Sequence, residues 1–167
     1  MAKRTQDPSP TARDAIALLT DDHEEVRQLF EQYQEFADDT SADDEAKRTL
    51  AEEICTMLTV HATIEEEIFY PTAREALEDD TLLNEAEVEH QTAKDLIEQI
   101  QNSDPGDPLY DAQVKVLGEY VNHHVQEEEG QLFPLVQETD MDLDSLGEEL
   151  SARQEELLSV EEEVDED

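Results

Sequence analysis

Apolar residues recur along this chain in steps of three and four, the spacing of one helix face, and no segment reads as a strand. Ile16, Leu19, His23, Val26, Leu29 and Phe30 form a first stripe, predicting a helix to about Phe36. The polar run from Asp38 to Ala42 is a loop, with Thr40 or Ser41 as the cap of the next helix. A second stripe carries Leu50, Ile54, Met57, Leu58, His61, Ile64, Glu65, Ile68 and Phe69, and Pro71 is expected to kink or end it. Thr81 caps a third, with Leu83, Val88, His90, Ala93, Ile97 and Ile100 inward, that stops at 103–108. Asp107 before Pro108 reads as a helix start, and the fourth helix presents Leu117, Tyr120, Val121, His124, Glu128, Leu132 and, past Pro134, Leu135. A short fifth helix near 144–158 carries Leu146, Leu150, Leu157 and Leu158. Four amphipathic helices joined by short loops pack as an up-down-up-down four-helix bundle, an all-α fold. The expected organisation is a flexible lead over 1–10, the bundle over 11–140, a C-terminal helix over 141–158 packed on it, and an acidic tail over 159–167.

Charge changes the picture of the surroundings more than that of the fold. The chain has 167 residues, 48 acidic against 10 basic, and a net charge of −38. Phosphates would meet a like-signed field, so nucleic acid and anionic membrane surfaces are not expected partners. Spread over the roughly 8,000 Å² that a chain of this mass exposes, the net charges lie about 15 Å apart. That exceeds a Debye length of about 8 Å at 0.15 M salt and far exceeds the roughly 3 Å at 1 M. Repulsion is therefore weak in concentrated salt, and a halophilic cytoplasm is the expected setting. An acidic disordered chain is the rival, and the helical spacing of the 37% hydrophobic residues argues against it. Cys55 is alone, which excludes an internal disulfide, and it reads as a small core residue. No apolar run approaches the roughly 20 residues that span a bilayer, and the N-terminal stretch lacks the apolar region of a signal peptide.

Two stretches repeat each other. His61-Ala-Thr-Ile-Glu65-Glu66-Glu67-Ile-Phe-Tyr-Pro71 and His124-Val-Gln-Glu-Glu128-Glu129-Gly-Gln-Leu-Phe-Pro134 each set a carboxylate four residues after a histidine and a proline ten residues after it. Four residues make about one helical turn, so each pair faces one point. His23 and His90 precede these pairs by similar distances, giving two helical hairpins, each with one lone histidine and one His-x3-Glu pair. A single histidine on an apolar face is usually a hydrogen-bonded core residue. Four of them on four helices, with two carboxylates on the same faces, are different: buried unpaired carboxylates cost several kcal/mol each unless cations neutralise them. Four imidazoles and two carboxylates without thiolate suit iron, manganese or zinc. A carboxylate can bridge ions about 3.5 to 4 Å apart, so Glu65 and Glu128 read as bridges, with His23 and His61 on one ion and His90 and His124 on the other. His123 with Glu127 is a second pair, offset by one place and expected at the helix side. Glu66, Glu67, Glu127 and Glu129 read as solvated neighbours. A Glu-x-x-His arrangement on two helices is not met, since only Glu87 to His90 fits it.

Through Asp22-His23-Glu24, His61 to Glu66, Glu89-His90 and His124 to Glu129 followed by Leu-Phe-Pro134, residues from about Ile16 to Pro134 resemble the hemerythrin-like proteins of the HHE cation-binding family. The resemblance implies a four-helix bundle with a carboxylate-bridged, non-haem di-iron centre that meets dioxygen or another diatomic molecule. His23, His61, Glu65, His90, His124 and Glu128 match its ligand positions. Oxygen carriers of that family have a further histidine where this chain has Lys94, which reads here as a lysine snorkelling at the helix edge. Glu87, one turn before His90, is an alternative ligand without family support. With a histidine fewer, the expected role is reaction with or sensing of oxygen, redox state or iron, and reversible oxygen carriage is an alternative. Peroxide or nitric oxide chemistry is the enzymatic alternative, although no flavin or nicotinamide fingerprint and no redox cysteine pair accompanies it.

Overall fold

The computed structural model describes residues 13–165, so the expected lead over 1–10 and the last two residues of the tail lie outside it. Helix α1 is Ala15–Asp38, α2 Asp44–Ile64, α3 Tyr70–Ala76, α4 Thr81–Gln101, α5 Tyr110–Glu127, α6 Phe133–Gln137 and α7 Leu143–Asp165. A π-helical turn, Glu65–Phe69, joins α2 to α3, and another, Glu128–Leu132, joins α5 to α6. No strand occurs among the described residues.

The helix starts differ in detail from expectation, because aspartates compete well for free backbone N–H groups. Asp14 caps α1 through the N–H of Ala17. Asp43, rather than Thr40 or Ser41, caps α2, and Ser41 instead hydrogen-bonds to Asp39. Thr81 is the first residue of α4, and its N–H donates to Asp79. Asp107 accepts from the N–H of Leu109, and regular helix begins only at Tyr110. Neither proline ends its helix. A proline lacks an N–H and crowds the carbonyl four residues back; here the preceding residue reaches one place further, Tyr70 N–H to Glu65 O and Phe133 N–H to Glu128 O, and the helix continues.

Two apolar layers show how the helices run. One contains Leu18 and Leu19 from the start of α1, Ile64 from the end of α2, Leu83 from the start of α4 and Leu132 beyond the end of α5. The other contains Leu29 and Tyr33, late in α1, Leu50 and Ile54, early in α2, Ile97 and Ile100, late in α4, and Val114 and Leu117 in α5. The direction therefore alternates, α1 packing on α2 and α5 and α4 on the same two: an up-down-up-down four-helix bundle. Helix α7 lies along α1 and α2, burying Leu146 and Leu150 in the first layer, and it runs beyond the expected 144–158. Val88, expected inward, is 68% exposed, and Tyr120 and Leu135 are partly exposed. No described helix is long and apolar enough to cross a membrane.

Candidate metal centre

Between the two apolar layers lies a polar one. His23 sits between Leu19 and Val26, His61 between Leu58 and Ile64, His90 between Ala86 and Ile97, and His124 between Leu117 and Leu132. All four histidines are buried, as are Glu65 and Glu128. Each Nε2 turns inward. Glu65 Oε1 is 3.0 Å from His61 Nε2 and 3.3 Å from His90 Nε2. Glu128 Oε1 is 3.2 Å from His23 Nε2, and Oε2 is 2.9 Å from His124 Nε2. Each carboxylate thus reaches one histidine of each hairpin. Ligand atoms of Glu65, His90, His124 and Glu128 lie within 4.8 Å of one another, as do those of His23, His61 and Glu128.

Several of these close approaches lack hydrogen-bond geometry. Among the described residues, His23 Nε2, His61 Nε2, both oxygens of Glu65 and Glu128 Oε1 are buried without a hydrogen-bond partner. Such orphaned groups are costly in a protein interior. Their close, unaligned approach is what a set of lone pairs directed at shared points between them would give, and the mixed imidazole and carboxylate donors suit borderline divalent cations.

The outer nitrogens meet a second ring of carboxylates. His61 Nδ1 is hydrogen-bonded to Asp22 at 3.0 Å, His23 Nδ1 to Glu129 at 3.2 Å and His124 Nδ1 to Glu89 at 3.4 Å. His90 Nδ1 has Glu66 Oε2 at 3.4 Å. A carboxylate behind a histidine fixes the ring and makes its other nitrogen a stronger donor to a metal. Glu66 and Glu129 are thus part of the site rather than solvated neighbours, whereas Glu67 pairs with Arg153 of α7. The repeat held a signal for all four: an acid stands just before His23 and His90 and just after Glu65 and Glu128.

The field of this layer favours positive charge. Burial opposes ionisation of His61, yet Glu65 and Asp22 hold its pKa well above the ordinary imidazole value. Burial likewise opposes His124, and Glu128 beside it prevails, raising its pKa to about 9. Glu128 is held well below the usual carboxylate range despite burial, by His124 and His23. His90, with Lys94 assisting against burial, draws Glu66 down to about 2. A site that stabilises imidazolium in these places also stabilises a metal dication.

Tyr70, which the apolar pattern does not single out, completes the layer. Its buried hydroxyl donates to Glu128 Oε2 at 2.5 Å and lies 3.2 Å from His90 Nε2 and 3.3 Å from His124 Nε2. Burial first, then Glu128, keeps its pKa well above that of a free phenol. The equivalent place in the second repeat is Phe133, stacked on His23. On the far side of the histidines is an apolar cavity of about 50 Å³, walled by Val26, Leu58, Ala93, Ile97, Val121 and Val125. Other candidates lie outside the centre. Glu87 pairs with Arg74, Lys94 is half-exposed and pairs with Glu66, and His123 stands at the side of α5. Cys55 is a core residue whose thiol burial pushes up to about 12.

The sequence matches the Hemerythrin HHE cation binding domain over residues 14–136, and the chain belongs to that family. In fold it is similar to the crystal structure of a hemerythrin HHE cation binding domain-containing protein from Mycobacterium kansasii, with a TM-score of 0.70 and 24% identity over 87% of each chain. It is also 34% identical over 116 residues to a DNA nickase of Nostoc sp.; the match covers 69% of this chain but spans only 31% of that protein.

Proposed function

We propose that this chain is a non-haem di-iron protein that reacts with or senses dioxygen, redox state or iron. His23 and His61 would hold one ion and His90 and His124 the other, with Glu65 and Glu128 placed to serve both. The carrying observation is the set of five buried, partnerless nitrogen and oxygen atoms between the two carboxylates and the histidines. Ferrous iron, if held there, would supply the electrons for reaction with a small oxidant; the protein's own part is to position and exclude. The Nδ1 carboxylates fix each imidazole, the apolar layers keep bulk water out, and the cavity of about 50 Å³ beside the histidines suits a molecule of a few atoms, since a single water needs roughly 10–15 Å³ on this measure. The side chain of Lys94 is turned to Glu66 rather than to the centre, so it supplies no ligand in place of the carriers' further histidine.

A second reading, turnover of peroxide or nitric oxide at the same place, is favoured by Tyr70, whose hydroxyl holds a proton beside Glu128, His90 and His124. DNA nicking is not carried over: the Nostoc match spans less than a third of that protein, and a net charge of −38 repels phosphates.

The test is anaerobic loading with Fe(II), removal of unbound metal and metal analysis. We expect two irons per chain in the wild type and losses of about tenfold or more in affinity for His61→Ala and Glu128→Gln, with circular dichroism verifying that both variants fold. A wild-type chain that retains no iron removes the proposal.

A further inference from the structure

The polar layer is nearly twofold symmetric, and its symmetry fails at one carboxylate. Asp22 and Glu89 are counterparts: each precedes a lone histidine, and each accepts from the Nδ1 of the other histidine of its hairpin. Asp22 is satisfied on both oxygens, because Gln154 of α7 donates to Oδ1 at 3.1 Å and Oδ2 at 3.0 Å. Helix α7 packs on the α1 and α2 side, and among the described residues Glu89 has no such partner. Its Oε1 meets His124, and its Oε2 is buried without a hydrogen bond.

What faces that oxygen is a second His-x3-Glu pair. His123 Nε2 lies 3.8 Å from Glu89 Oε2 and 3.2 Å from Glu127 Oε1. The three ligand atoms all lie within 4.8 Å of one another, contributed by two helices, α4 and α5. Bonds of about 2.0–2.2 Å to a tetrahedral ion put neighbouring ligand atoms roughly 3.4 Å apart, and the two observed distances bracket that value. The pair is the inner His124/Glu128 pair displaced by one residue, hence turned by about 100° to the flank of the helix. A small cleft bounded by Glu89, His124, Glu127 and Glu128 lies between the two places.

We propose that Glu89, His123 and Glu127 form a third, mononuclear divalent-cation site on the flank of the bundle, distinct from the buried centre. An imidazole with two carboxylates selects zinc, manganese or ferrous iron over magnesium and calcium, which take oxygen donors. The His123 side chain is 64% exposed, so water completes the coordination and the ion exchanges readily. Glu89 joins the sites, its inner oxygen orienting His124 and its outer oxygen holding the flanking ion. The site rests on these three side chains and not on which ions fill the interior.

Calorimetric Zn(II) titration of the full chain, with metal analysis, tests this in about 2 M potassium chloride, which screens diffuse cation uptake by the acidic surface. The expectation is one weaker equivalent per chain beyond those held in the interior. His123→Ala and Glu127→Gln each weaken that equivalent by about tenfold or more, while the tighter equivalents and the melting temperature are unchanged. The His123 imidazole nitrogens shift in NMR spectra as the weaker equivalent is added. A weaker equivalent that is absent from the wild type, that survives both substitutions, or that leaves the His123 resonances in place overturns the third site alone. Loss of the tight equivalents with the His123-dependent one retained overturns the di-iron reading and leaves this one standing.

Discussion

Tyr70 and Phe133 occupy equivalent places, nine residues after His61 and His124, and differ by one oxygen atom. That atom puts a proton donor on one side of the layer, against Glu128 and between His90 and His124. Phe133 stacks on His23 at 5.9 Å and offers its side nothing polar. The two halves of the centre are therefore chemically unequal. Tyr70→Phe makes them alike at nearly constant volume, and because Tyr70 is outside the six proposed ligands, iron content should stay at wild-type level. If the protein turns over peroxide with Tyr70 as general acid, the iron-loaded variant should lose about 10²-fold or more in rate. Wild-type turnover in Tyr70→Phe would deny Tyr70 that role, and no turnover in the wild type would favour the sensing role.

At the scale of elements, the π-helical turns decide what reaches the centre. At about 100° per residue, nine residues of regular helix would leave Tyr70 on the side opposite His61. The extra residue accommodated in Glu65–Phe69 turns it back by about that step, so His61, Glu65 and Tyr70 share one side. Pro71 and Pro134 suit this arrangement because they have no N–H to restore the narrower bond. Helix α7 depends on another local feature. A Cβ on Gly147 would lie 2.4 Å from the Arg13 carbonyl oxygen, so only glycine lets α7 approach the start of α1 this closely. Gly147→Ala should destabilise the protein by about 1–2 kcal/mol net, because overpacking against backbone at about 2–3 kcal/mol outweighs the roughly 1 kcal/mol that alanine contributes to a helix. Gly130→Ala is the control: its Cβ meets nothing within 4 Å, so the same propensity gain should appear without a clash. Thermal melts check both, and an unchanged melting temperature in Gly147→Ala would contradict this account of α7 docking.

For the whole molecule, most of the scarce basic side chains among the described residues stand at joints. Lys47 joins α2 to α5 through Asp111, Arg74 joins α3 to α4 through Glu87, and Arg153 joins α7 to the first π turn through Glu67. The partly exposed Arg74 and Arg153 pairs contribute little singly, and the surplus of acidic groups repels across the rest of the surface. Salt shortens that repulsion from about 8 Å at 0.15 M to about 3 Å at 1 M. The melting temperature should therefore rise by about 5 °C or more between about 0.1 M and 2 M potassium chloride, a shift worth a kcal/mol or two for a chain of this size. Equal melting temperatures would remove the halophilic reading.

How much of this was legible beforehand follows the range of each interaction. Helical periodicity depends on neighbours one turn away, so the bundle and its four main helices could be read from Leu19, Ile54, Leu83 and Leu117 and their spacing. The repeated His-x3-Glu pairs are equally local, and they named the six side chains that the fold gathers between its apolar layers. The cap at Asp43 and the acceptor role of Asp79 at the start of α4 are not legible in spacing, because several neighbouring polar residues compete for the same N–H groups. Val88 was misplaced because a stripe does not mark where a packed face ends. The phase shift of the π turns, the pairing of Glu66 with His90 and Glu129 with His23 across hairpins, the contact of Gln154 with Asp22 and the orphaned oxygen of Glu89 all join residues far apart in the chain or alter the turn on which spacing arguments rest. Local spacing established which residues share a helix face; only packing the helices together determined which atoms of those faces meet.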